Sequence, residues 1–213
     1  MENLYLYNNS LIGEIPSKIC NLKHLRKNFI FDNKISSPIP LEFGTRKNLM
    51  RFNVTGNRLT GTIPMTLFSY SRLELLLMGE NLFKGGIPLE IGNFGSLRWL
   101  KLDHNHLASV IPIQLLGLNL EIDYLDLKDN NLQGEIPSSL GQRKKLISID
   151  MPMNKLSFGS DHTILHWDLP LMWKRQQEEV GSSIELTLFQ TLSQFCRIFP
   201  FSPIHLIWAH RAC

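Results

Sequence analysis

Cysteine is scarce in this chain. Its 213 residues contain three, Cys20, Cys196 and Cys213, too few and too scattered for a disulfide scaffold or a zinc cage. Charge of one sign is scarce too. Lys and Arg number 22 against 19 Asp and Glu, so the formal net charge is +3, too mild to make nucleic acid or an anionic membrane the main partner. No apolar run reaches the roughly 18 residues of a membrane span. The richest stretch, Ile184 to Ala209, is broken by Glu185, Gln190, Gln194, Arg197, Pro200 and Pro203. The opening segment has no basic stretch followed by an apolar run, and therefore no visible secretory signal. Signatures of catalysis are missing as well: no G-x-S-x-G elbow, no glycine loop ending in Lys-Ser/Thr, no H-R-D and no D-F-G. No cofactor is expected. What remains, 43% hydrophobic and 19% charged residues, suits a packed core and excludes wholesale disorder.

A repeat dominates what is present. Asparagines recur at Asn9, Asn33, Asn57, Asn81, Asn105, Asn130 and Asn154, spaced by 24 residues except for 25 between Asn105 and Asn130. Five and three residues before them stand Leu4 and Leu6, Phe52 and Val54, Leu76 and Met78, Leu100 and Leu102, Leu125 and Leu127, Ile149 and Met151. The second unit carries a weaker copy, Asn28 and Ile30. Two residues after each asparagine comes another apolar residue, from Leu11 to Leu156, and then Ile-Pro, from Ile15-Pro16 to Ile136-Pro137.

The spacing has a direct physical reading. Leu-x-Leu is a short strand of period two, with its leucines turned inward and the residue between them outward. No 24-residue unit buries its apolar side alone, so the units stack and their strands pair in parallel. Each asparagine stands where the chain turns from the strand, and its amide is suited to backbone groups that would otherwise be buried unpaired. Glycine four residues later (Gly13, Gly61, Gly85, Gly134) permits turn dihedrals, with Ser37 and Ser109 substituting. Proline after isoleucine predicts an extended segment on the far side of each coil. The fold class expected is an α/β-type solenoid: a curved, right-handed stack of about seven coils, a parallel sheet on the concave face, and an irregular or 3-10 convex side.

These residues resemble the plant type of leucine-rich repeat, L-x-L-x-x-N-x-L-x-G-x-I-P. The likeness is strongest to the extracellular region of leucine-rich-repeat receptor-like serine/threonine kinases, as in Asn131-Leu132-Gln133-Gly134-Glu135-Ile136-Pro137-Ser138-Ser139-Leu140-Gly141. It covers Met1 to about Phe158. The resemblance implies an extracellular or plasma-membrane setting, and a peptide or protein ligand with a co-receptor as a further partner. The kinase half of the family has no counterpart here, and Gly92-Asn93-Phe94-Gly95 belongs to the repeat.

Departures from the pattern set the domain expectation. No cysteine pair precedes the first strand, whereas the family's ectodomains carry paired-cysteine caps. Cys20 reads as a small packing residue. In the seventh coil Phe158 replaces glycine and Ser160-Asp161 replaces Ile-Pro. We therefore expect a repeat domain over 1–159 and a non-repeat tail over 160–213. That tail holds Trp167, Trp173 and Trp208, and reads either as a makeshift cap or as a poorly ordered end. Together these features suggest a truncated, receptor-derived chain.

Candidate contacts come from the outward rows. Tyr5, Tyr7, Phe29 and Phe31 form an aromatic block on the first two coils, suited to peptide or protein recognition, or else left from packing against a further repeat. Trp99 and Tyr124 extend a contact surface or pack at its rim. Parallel register sets Lys101 opposite Asp126 and Asp103 opposite Lys128, crossed pairs that read as a mutually neutralising, solvated face or as ligand contacts. Asn8 and Asn53 head N-x-[ST] sequons and are glycosylation candidates in a secreted chain. His104 and His106, and His162 and His166, lack an organised third ligand, so no metal is expected. The expected function is a non-catalytic recognition module. A secreted inhibitor-like repeat protein acting on a pathogen cell-wall enzyme, and a remnant without activity, are the alternatives.

Overall fold

The structure, a computed structural model, describes residues 1–157 apart from 46–47, 69–71, 94, 117–121, 138–139 and 141–145. The boundary expected at 159/160, the tail with Trp167, Trp173 and Trp208, and His162 and His166 lie outside the described residues.

Seven three-residue strands form one parallel sheet in chain order: Asn3–Tyr5, Lys27–Phe29, Arg51–Asn53, Leu75–Leu77, Trp99–Lys101, Tyr124–Asp126 and Ser148–Asp150. They are called here the first to seventh strands. Every strand is too short to stand alone, so its pairing comes from the coil on either side. The register aligns the middle residues, Leu76 with Leu100 and Leu100 with Leu125, in one inward column. Phe52, Leu76, Leu100 and Leu125 are buried there, and so are Ile30, Val54, Met78, Leu102 and Leu127 of the second column. Cys20 is buried in the same core, as its packing reading requires.

Behind the sheet, each asparagine amide joins two coils. Asn105 donates through Nδ2 to the carbonyls of Met78 (3.1 Å), Leu102 (3.1 Å) and Asp103 (2.9 Å), and its Oδ1 accepts the Phe83 N–H at 3.0 Å. Asn33, Asn57, Asn81, Asn130 and Asn154 repeat the pattern, Asn130 for example reaching Leu102 O at 2.9 Å and the Leu107 N–H at 3.0 Å. The side-chain amide of Asn9 bonds within its own coil, to the carbonyls of Leu6 and Tyr7. The seven amides line up, as the even spacing predicts.

Two local devices set the turns. The residue before every asparagine is left-handed: Asn8, Asp32, Gly56, Glu80, His104, Asp129 and Met153 have φ between 48° and 64°. Gly85, four after Asn81, has φ +81°, and a β-carbon there would approach the Thr62 methyl at 3.0 Å. Both positions reverse the chain within a few residues.

On the far side the extended segment is shorter than the prolines imply. Pro16 is extended, at φ −63° and ψ 127°. One-turn 3-10 helices then follow at Ser17–Asn21, Leu41–Thr45, Met65–Phe68, Leu89–Asn93 and Ile113–Leu116. Proline restricts the residue before it but leaves its own carbonyl free to start a turn. Accordingly Ile19, Phe43, Leu67, Ile91, Leu115 and Leu140 donate to Pro16, Pro40, Pro64, Pro88, Pro112 and Pro137 at 2.9–3.2 Å. Each turn swings an apolar side chain, such as Phe43, Leu67 or Ile91, into the core.

Candidate functional site: the strand face

Period two turns the first and third residues of each strand away from the core, and a further outward row follows two residues before each asparagine. At the near end the rows are aromatic. Tyr7 stacks on Phe31 at 4.6 Å and 3°, Tyr5 leans on Phe29 at 5.4 Å, and Tyr5–Tyr7 and Phe29–Phe31 each meet at 6.4 Å. The four rings make one pavement. Tyr5 and Tyr7 remain 49% and 43% exposed, while Phe29 and Phe31 beside them in the second coil are half-buried. The tyrosines thus leave open ring surface at the end of the block.

A groove of about 220 Å³ opens further along, over the fourth to seventh strands. The register sets Trp99 beside Tyr124 and Tyr124 beside Ser148, in the first outward row. Trp99 and Tyr124 stack at 4.0 Å, forming a ledge, and Trp99 stays 44% exposed. The next row brings Leu77, Lys101, Asp126 and Asp150 to the groove. Trp99, Lys101 and Asp126 are candidates from the sequence that the groove brings together. Leu77, Asp150 and the ledge itself had not been assembled into a site.

The charges pair differently from the crossed arrangement expected. Lys101 Nζ does approach Asp126 Oδ2, at 3.9 Å, but it lies closer to Asp103 Oδ2 of its own coil, at 3.3 Å. The expected Asp103–Lys128 pair gives way to this contact. The solvated reading fails for Asp103, whose side chain is 1% exposed. It packs against Gly79 of the coil before, where no side chain competes for the space. Asp103 therefore holds Lys101 rather than offering a contact of its own. His104, left-handed at φ 48°, donates from Nδ1 to the Asp129 carboxylate, Oδ2 accepting at 2.6 Å. Asp126 Oδ1 accepts the Lys128 N–H at 3.2 Å.

Burial, assisted by Asp103 and Asp150, pushes the Asp126 carboxyl up to about 6, against the Lys128 N–H and the Lys101 ammonium. Asp150 is also raised, chiefly by burial, with Lys128 pulling it down. Asp150 Oδ1 is buried with no hydrogen-bond partner. Carboxylates thus crowd one wall of the groove with too few donors to satisfy them.

Asn8 is exposed and left-handed, and Asn53 lies half-buried on the strand face with Oδ1 accepting the Thr55 N–H at 3.0 Å. Among the described residues no group of three His, Cys, Asp or Glu side chains could hold a metal. No helix among them is long and apolar enough to cross a membrane.

Comparison with known proteins agrees with this architecture. The Leucine Rich Repeat family model matches residues 1–22 and 121–142. No curated protein sequence matches the chain. Among solved structures, the plant peptide hormone receptor RGFR1 in complex with RGF2 is 27% identical, with 73% of this chain and 29% of that chain covered and a TM-score of 0.68. The Arabidopsis receptor kinase HAESA, in complex with the peptide hormone IDA and the co-receptor SERK1, is 29% identical over 76% of this chain and 30% of that one, with a TM-score of 0.69. A plant ice-binding protein is 31% identical, covering 73% of this chain and 50% of that one at a TM-score of 0.68. The chain thus spans under a third of the length of the two receptors. With its 24-residue period, its amide column and these likenesses, the chain is a leucine-rich repeat protein of the plant type, similar to the ectodomains of plant receptor kinases.

Proposed function

We propose that the chain is a non-catalytic recognition module. It holds an extended peptide, or an extended loop of a protein partner, against its strand face, in the extracellular signalling or defence setting of the receptors it resembles. The repeat domain over 1–159 carries that role.

The observation that supports this reading is the uneven chemistry of the face. Aromatic rings gather on the first two strands and again on the fifth and sixth, and carboxylates on the sixth and seventh. Rigid rings on a hydrogen-bonded scaffold bury much area on binding at little entropic cost. Five ladder spacings separate the first strand from the sixth, about 24 Å, which an extended peptide crosses in about seven residues. The plant peptide hormone receptor RGFR1, in complex with RGF2, and HAESA, in complex with the peptide hormone IDA, share this architecture. The ice-binding relative carries the scaffold in a different role, so the argument rests on these side chains and not on the fold.

Panning the full chain against a displayed random-peptide library tests the reading. Selected peptides should lose about tenfold in affinity for a Tyr5→Ser/Phe29→Ser variant and for Trp99→Ala, the loss expected of aromatic anchors. Peptides that bind both variants as well as the parent chain would remove the strand face as the binding surface.

A further inference from the structure

Resting on the recognition reading above, the geometry points to a specific occupant of the groove: an arginine side chain of the bound peptide. Its guanidinium lies on the Trp99–Tyr124 ledge and donates to Asp126 and Asp150.

Size limits the occupant first. About 220 Å³ falls below the usual range for a whole small-molecule ligand and suits one long side chain. Charge comes next. The groups around the groove are the carboxylates of Asp103, Asp126 and Asp150 and the ammoniums of Lys101 and Lys128, with His104 held by Asp129. Lys101 is drawn toward buried Asp103 at 3.3 Å and stays 3.9 Å from Asp126. Asp126 and Asp150 are direct neighbours in register, and Asp150 Oδ1 has no donor. A cation placed beside the two carboxylates relieves their repulsion, whereas an anion would meet the same wall unfavourably.

Arginine fits better than lysine. Its planar head stacks on an aromatic face while its fork reaches two carboxylates, and it sheds water more readily than an ammonium. The methylene stem needs an apolar wall, and Leu77 stands across the groove from Asp126, beside Lys101. Asp126 keeps its in-coil bond to the Lys128 N–H through Oδ1, and Lys101 comes no nearer Oδ2 than 3.9 Å, which leaves hydrogen-bonding room at Oδ2 for the incoming donor.

The test compares libraries panned on the full chain and on an Asp126→Asn/Asp150→Asn variant that melts no lower than the parent chain. Peptides from the parent chain should carry arginine at one fixed position, and the enrichment should vanish on the variant. Replacing that arginine by citrulline, which alters only the peptide, should weaken binding at least tenfold, and replacement by lysine should weaken it several-fold. Peptides selected without a fixed arginine, or unaffected by citrulline, would overturn the assignment while leaving the recognition reading standing. Lysine serving as well as arginine would overturn the guanidinium seat. Failure to select any peptide above an unrelated control protein would overturn both.

Discussion

The carboxylate of Asp103 lies over the Cα of Gly79 in the coil before it, in space that a β-carbon at position 79 would occupy. Gly79 has no left-handed φ, so its lack of a side chain is a matter of room and not of backbone strain. The arrangement buries Asp103 and anchors Lys101 at the groove. Gly79→Ala should push the carboxylate aside and lower stability by about 1 to 3 kcal/mol, the cost of overpacking a buried site. The same change in an Asp103→Ala background should cost much less, because the obstructing group is gone. A double-mutant cycle by chemical denaturation reads the coupling. Equal costs in the two backgrounds would show that Asp103 is not what Gly79 accommodates.

Asn28 occupies the inward column between Leu4 and Phe52, fully buried, and neither its Nδ2 nor its Oδ1 has a hydrogen-bond partner. A buried amide without partners costs about 1 to 3 kcal/mol. Asn28→Leu restores the residue type that other coils place there and should stabilise the chain by that amount, a rise in Tm of a few degrees for a domain of this size. A lower Tm for the variant would mean that the amide has a role in the fold that its surroundings do not reveal.

Much of this was legible in the sequence, for a definite reason. Residues such as Asn57 and Leu76 repeat because one structural demand recurs every 24 residues, so their period reports the demand directly. Parallel register follows from the same period, and it correctly set Lys101 beside Asp126. The left-handed position before each asparagine was hidden because unlike residues fill it, from Gly56 and Asp32 to Glu80 and Met153. Backbone hydrogen bonds to the next coil, such as Glu80 N–H to Asp103 O at 2.9 Å, hold that conformation whatever the side chain. Asp103 looked solvated because its burial depends on an empty space in another coil. The row Thr55, Gly79, Asp103 did contain the clue, a glycine next to an acid. Trp99 and Tyr124 stay open in the sequence between a contact surface and its rim, because their stacking appears only when the first outward row is aligned across strands.

The amide column predicts a gradient in cost along the repeat. The Asn105 side chain is buried and makes four hydrogen bonds, two to the coil before it and two within its own, while the exposed Asn9 side chain makes two within its own coil. Asn105→Ala leaves backbone groups of Met78 and Phe83 without partners inside the stack and should cost about 3 kcal/mol. Asn9→Ala leaves its carbonyls open to water and should cost less than about 1 kcal/mol. Denaturant midpoints of the two variants give the comparison. Similar losses at the two positions would show that the bonds within each coil, and not those between coils, carry the asparagine's contribution.

Asp126 makes stability depend on pH in a direction opposite to that of an ordinary ion-paired carboxylate. Its folded pKa, pushed up to about 6 by burial and by Asp103 and Asp150, lies above the unfolded value of 3.8. Between those values the folded chain keeps a proton that the unfolded chain has released, so this group's contribution falls as pH rises from about 4 to 6 and is level above. Asp150, raised in the same sense, adds to the decline. Lys101, Lys128 and His104 face the same wall, and their attraction keeps the effect finite. Water reaches part of the Asp126 carboxyl, which reduces the gain from Asp126→Asn at pH 7 to about 1 kcal/mol. The measure is the difference between the variant and the parent chain, which isolates this carboxyl from all the others. That difference should be near zero at pH 4, grow through pH 6 and then stay constant. A difference that shrinks over the same window would place the Asp126 carboxyl below its ordinary value and make Lys101 its dominant neighbour.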